Sequence, residues 1–77
     1  MTKNELLRSL EEMMSLKNNS LSADTQLENI MEWDSMAFLS LIALFDSQFQ
    51  KKATISILQN FKTPSDIFSY LEITHAD

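Results

Sequence analysis

A hydroxyl and a carboxylate stand side by side in Trp33-Asp34-Ser35-Met36, where a polar stretch gives way to an apolar run. Asp34 is placed to cap the helix that this run predicts, its carboxylate accepting from the backbone N–H of Ala37. Ser35 is then exposed on the first turn. A phosphate attached to it would lie near free N–H groups and the positive end of the helix dipole. Asp-Ser ahead of an apolar run is also an ordinary helix start, and the tetrapeptide alone does not separate the two readings. Little else competes for a chemical role. His75, the sole histidine, lies in a polar tail with no nucleophile beside it, whereas acid–base catalysis needs a held geometry. Glu11 and Glu12 diverge by about 100° on a helix and are expected, with Arg8, on a solvated face. The chain has neither cysteine nor glycine. That removes disulfides, thiolate metal sites and glycine-rich phosphate loops, and any thioester chemistry must use a borrowed thiol. An enzyme reading has no residues to support it.

The elements that must position Ser35 follow from periodicity and caps. Thr2-Lys3-Asn4-Glu5 has capping-box spacing, and Leu6, Leu10 and Met13, flanked by Leu7 and Met14, continue as a first helix. Lys17-Asn18-Asn19-Ser20 is expected to end it. A long polar connection then runs to Asp34, pinned by Leu21, Leu27, Ile30 and Trp33, with a short turn expected at Asp24-Thr25-Gln26. Residues 36–49 form the most apolar segment, with more apolar faces than a single core-facing stripe requires. Ile55, Leu58 and Phe61 predict a short third helix, although Ile55-Ser56-Ile57 alone also fits a strand. Thr63-Pro64-Ser65-Asp66 is a strong start signal for a last helix carrying Ile67, Phe68, Tyr70 and Leu71. Residues 74–77 read as a frayed tail. The expected fold is all-α: a small four-helix bundle, three main helices plus one short one, with a long loop between helices 1 and 2.

The 77 residues allow one domain, spanning 1–77. The formal net charge of −5 argues against nucleic acid and suits partners with basic patches. Asp24, Glu28, Glu32 and Asp34 share a stretch without Lys or Arg, while Lys51, Lys52 and Lys62 come later. The first residues have no apolar core of a signal segment and no run approaches a membrane span, so the expected address is the cytoplasm.

Asp34-Ser35-Met36 resembles the Asp-Ser-Leu attachment motif of acyl and peptidyl carrier proteins, with Met36 in place of leucine. The similarity extends through residues 39–49, including the closing Phe49, through 61–67 ahead of the last helix, and through 21–27 in the loop. It covers essentially the whole chain. The resemblance implies that Ser35 receives 4′-phosphopantetheine from coenzyme A through a phosphopantetheinyl transferase, with Asp34 helping to position Mg²⁺ during transfer. The arm's thiol would then carry an acyl group as a thioester, loaded and unloaded by acyl-transferring enzymes, a ketosynthase or an adenylating ligase. Ile42, Phe45, Leu58, Phe61 and Ile67 would line a pocket for the acyl tail, although a bundle fills such positions with plain core in any case. Met36, Leu39, Ala43 and Asp46 would meet partner enzymes, and the carrier would be a monomer.

Two departures from the family pattern matter. Ala37 and Ser40 stand where fatty-acid carriers are acidic, and Lys51 and Lys52 where they are acidic or neutral. Each missing charge removes a steering contact of about 0.5–1 kcal/mol at an exposed site. A carrier dedicated to a specialised pathway is therefore expected. An aminoacyl, D-alanyl or peptidyl carrier is the alternative within the family, which an exposed Trp33 and Phe38 would suit. An unmodified helical interaction module is the alternative outside it; a DNA-binding domain ranks last.

Overall fold

The computed structural model describes residues 1–75. Its elements are α1 (Lys3–Met13), a 3-10 turn (Leu27–Asn29), α2 (Ser35–Phe49), α3 (Ile55–Gln59) and α4 (Pro64–Leu71), with no strand among the described residues. The all-α bundle with one short helix and a long first loop is as expected from the sequence.

Local signals fix where the helices begin. At α1, the Glu5 N–H donates to Thr2 Oγ1 (3.2 Å) while the Thr2 N–H donates to Glu5 Oε1 (2.8 Å), closing the capping box. This bond holds the Glu5 carboxyl below its ordinary value of 4.5, the Thr2 backbone N–H being the largest cause. At α4, Pro64 occupies the first turn and Asp66 Oδ2 accepts from the N–H groups of Lys62 (2.7 Å) and Thr63 (3.2 Å). Thr54 caps α3 through Ile57 N–H (3.3 Å), so Ile55-Ser56-Ile57 is helix rather than strand.

The helix ends use a rarer device. Without glycine, Ser15 (φ 56°), Gln50 (φ 48°) and Glu72 (φ 58°) take the left-handed conformation just past α1, α2 and α4. After α1, Ser15 N–H bonds Glu12 O and Leu16 N–H bonds Glu11 O; after α4, Glu72 and Ile73 repeat the pattern to Ser69 and Phe68. Both are Schellman closures, in which glycine is the usual left-handed residue. The first helix thus closes at Ser15, ahead of the Lys17–Ser20 stretch expected to end it. That stretch forms a separate turn.

Every element contributes to the core. Leu6 and Leu10 of α1, Leu27 of the loop, Leu41 and Phe45 of α2, Leu58 of α3 and Ile67 of α4 are fully buried. Each such side chain contributes about 1.5–3 kcal/mol of burial. Phe38 is also buried and Trp33 is half-buried against the core, so neither is the exposed aromatic expected beside Ser35.

The loop is fastened along its length. Glu11, expected in water, is fully buried. Its carboxylate accepts from Leu21 N–H (2.9 Å) and Asn19 N–H (3.1 Å) and pairs with Arg8 Nε at 3.0 Å. Arg8 in turn donates to the Asn19 side chain and to Leu21 O. Further on, Leu27 N–H donates to Lys62 O (2.9 Å) and Ser65 N–H to Ala23 O (3.1 Å), joining the loop to the α3–α4 connection and the first turn of α4. The helical turn falls at Leu27–Asn29, just after the expected Asp24-Thr25-Gln26. The C-terminal stretch is also held as far as described. Ile73 is buried and Lys3 N–H donates to His75 O (2.8 Å), whereas fraying was expected from Thr74. The rest of that expected tail, residues 76 and 77, lies outside the described residues.

Candidate functional site around Ser35

Ser35 is the first residue of α2 and is exposed. Its orientation is set from both sides. Ahead of it, Asp34 is the N-cap, in extended backbone, with Oδ1 accepting from Met36 N–H (3.1 Å) and Ala37 N–H (3.4 Å). Those two donors are therefore engaged by Asp34, and are not the free groups expected to await a phosphate. What remains for an anion on Ser35 is the partial positive charge of the helix end. Around it, Trp33 packs edge-on against Phe38 with ring centroids 4.9 Å apart. These residues immediately precede the cap and fill the fourth helical position, the pairing of a hydrophobic staple that fixes the entry angle of the chain. Trp33 N–H to Ile30 O (3.1 Å) and Asp34 N–H to Glu32 O (3.0 Å) tighten the approach.

Met36, Leu39, Ala43 and Asp46 recur along α2 on one side of the helix and are all exposed, Met36 at 76% and Leu39 at 60%. Asp46 lies 3.9 Å from Lys52 in a pair open to solvent, worth about 0–1 kcal/mol. Met31, in the turn before the cap, is 90% exposed and was not singled out from the sequence. No periodicity marks a residue in a turn.

The five candidate tail-pocket residues belong to one hydrophobic cluster. Phe45, Leu58 and Ile67 are wholly buried, while Ile42 and Phe61 are half-buried against them. Tyr70 joins two of these: its ring meets Phe45 at 5.9 Å and Phe61 at 5.5 Å between centroids. Its hydroxyl donates to Lys52 O (2.9 Å), and Lys51 Nζ lies 4.8 Å from the ring centre. Tyr70 and Glu11, like Met31, have roles that sequence reasoning missed. Glu11 carried a signal, since it follows Leu7 by four residues and precedes Met14 by three, on the apolar stripe. His75 is exposed, as expected.

Of the two positions where fatty-acid carriers are acidic, Ser40 is exposed and Ala37 is buried. Only Ser40 therefore bears on surface charge. No helix among the described residues is long and apolar enough to cross a membrane.

The family model described as "Phosphopantetheine attachment site" matches residues 4–71. The chain is also similar to an acyl carrier protein of Aster yellows witches'-broom phytoplasma (strain AYWB). The two are 33% identical over 58 residues, which is 75% of this chain and 76% of the relative. No solved structure matches the chain significantly. The group that goes with this family is covalent 4′-phosphopantetheine, and its members work with a phosphopantetheinyl transferase and acyl-handling enzymes. The match spans all four helices and the fastened loop, and on that basis the chain belongs to the acyl carrier proteins of the phosphopantetheine attachment-site family.

Proposed function

We propose that Ser35 is the hydroxyl that carries the phosphopantetheine arm, and that this single-domain chain is a non-catalytic carrier acted on by partner enzymes. The observation that carries the reading is an exposed hydroxyl on the first residue of α2, held by the Asp34 cap and the Trp33–Phe38 staple. When bound, the arm supplies a terminal thiol for a thioester, which suits a chain with no cysteine.

The chain's own residues present, orient and shelter. Ser35 offers Oγ to the transferase from a helix end whose dipole favours the phosphate it receives. Asp34 would offer one carboxylate toward the Mg²⁺ of that step. Among the described residues no cluster of three His, Cys, Asp or Glu could hold a metal ion. The other ligands would come from the transferase, coenzyme A phosphates and water, as is usual for Mg²⁺ at phosphate sites. Met36, Leu39 and Ala43 offer an apolar strip for docking and Asp46 a charge at its end. An acyl tail would enter among Ile42, Phe45, Leu58, Phe61 and Ile67, with half-buried Ile42 and Phe61 the side chains that yield most easily. Uncharged Ser40, with Lys51 and Lys52 beyond α2, favours a specialised pathway over general fatty-acid synthesis.

Intact-mass spectrometry before and after incubation with coenzyme A, Mg²⁺ and a broad-specificity phosphopantetheinyl transferase tests the assignment. One phosphopantetheinyl group is expected on the wild type and none on Ser35→Ala. No gain on folded wild-type protein with several transferases would leave an unmodified helical interaction module.

A further inference from the structure

The end of α1 and the start of α2 do not pack fully together. A cleft of about 240 Å³ remains between them, lined by Met13 and Met14 from one side and Met36 and Ala37 from the other. Glu32 and Asp34 add carboxylates to its lining. Met13 also borders a second, separate hollow of about 340 Å³ against Ser9, Glu12 and Leu44, so two hollows lie along the furrow between α1 and α2. Ser35 is exposed and does not line the cleft itself, but its neighbours on either side, Asp34 and Met36, do.

We infer that, while it carries no acyl group, the arm on Ser35 folds back into this furrow, its branched pantoyl unit against Met13 and Met14 and its amide N–H groups toward Glu32; loading draws it out toward the pocket among α2, α3 and α4. The inference rests on the assignment of the arm to Ser35. Three features support it. The first is chemical fit: the arm has an apolar gem-dimethyl carbon followed by amide donors, and the cleft has thioethers and an alanine next to acceptor-only carboxylates. Methionine side chains are flexible and polarisable and fill irregular gaps around an occupant. The second is size. The cleft is below the ~300–1,000 Å³ of a pocket for a drug-sized ligand, so it takes one unit of the arm and not its whole length. The third is tethering: a group anchored between two lining residues has an effective concentration in the mM range, so a shallow site suffices. Asp34 and Glu32 repel the phosphate, which stays at the open helix end while the neutral part enters.

The five methionines provide the test. The protein is labelled with ¹³C at the methionine methyls, assigned by single Met→Leu variants, and compared by NMR before and after arm transfer confirmed by intact mass. The Met13 and Met14 methyls are expected to shift and to show NOEs to the arm's geminal methyls, while those of Met1 and Met31 stay in place. If mass shows the arm on Ser35 but Met13 and Met14 are unmoved, or the arm's NOEs lead only to α3, the furrow inference is overturned and the Ser35 assignment stands. If the mass does not change, both fall.

Discussion

Replacing Glu11 by alanine removes a carboxylate that holds two loop N–H groups and one guanidinium from a fully buried position. Leu21 N–H, in a buried bond, loses its partner outright, at about 1–3 kcal/mol. Arg8 loses its counter-charge as well, but its side chain is about a third exposed and keeps its bonds to the Asn19 side chain and Leu21 O, so water makes up part of that loss. A domain of this size has about 3–5 kcal/mol to lose, so a loss of about 1–3 kcal/mol is expected to leave Glu11→Ala folded at 25 °C without denaturant but with little stability in hand. Glu11→Gln keeps the shape but offers one acceptor oxygen instead of two, and is expected to lose about 1–3 kcal/mol. Urea unfolding followed by far-ultraviolet circular dichroism reads both. With a slope near 1 kcal/mol/M, a 2 kcal/mol loss lowers the midpoint by about 2 M. In a double-mutant cycle with Arg8→Ala, the pair should couple by about 1–3 kcal/mol. Glu11→Ala within ~0.5 kcal/mol of wild type, the range of an ordinary surface change, would refute the clasp.

Four further outcomes are expected. Glu72→Gly should raise stability by about 0.5–1 kcal/mol in urea unfolding, because left-handed backbone costs a non-glycine residue about 1–2 kcal/mol and glycine's extra chain entropy returns about 0.5–1 of it. Asp34→Asn keeps a good N-cap and should melt within a few degrees of wild type, yet accept the arm much more slowly if the Asp34 charge positions Mg²⁺; equal transfer rates would remove that role. Trp33→Ala should lose at least the ~0.5–1.5 kcal/mol of an edge-on aromatic pair and speed hydrogen exchange at the first amides of α2. Finally, the lowered Glu5 pKa contributes stability that is present above the ordinary value of 4.5 and lost as pH falls through the folded value. Amide shifts at Thr2 and Glu5 should therefore report fraying of α1 in acid, and Glu5→Gln should abolish that dependence.

How far the sequence revealed the fold follows from the range of each interaction. The caps at Thr2, Asp34, Thr54 and Thr63 act over two to four residues, and residue type at fixed spacing encodes them. The candidate site was legible for the same reason, since Ser35 directly follows its own cap. Glu11 was misplaced because its partners are loop amides eight and ten residues away, which no period describes. A carboxylate on an apolar stripe then looked like the edge of a solvated face. Phe38 was misjudged because an apolar residue on every face of α2 leaves open which face is covered, and the answer came from Trp33 and the core. The helix ends were hidden by the lack of glycine, as serine, glutamine and glutamate at Ser15, Gln50 and Glu72 give no sign of left-handed backbone.

The two fastenings of the first loop also set an order of events during folding. The bond from Leu21 to Glu11 joins residues 10 apart, whereas that from Leu27 to Lys62 closes a ring of roughly 35 residues. Loop closure costs about 0.6 kcal/mol more for each doubling of length, so the second ring is dearer by about 1 kcal/mol. The near clasp should form early, with α1. The far seam, which brings the α3–α4 connection onto the loop, belongs on the native side of the barrier. Damage to the clasp should then slow folding, while damage to the seam should mainly hasten unfolding.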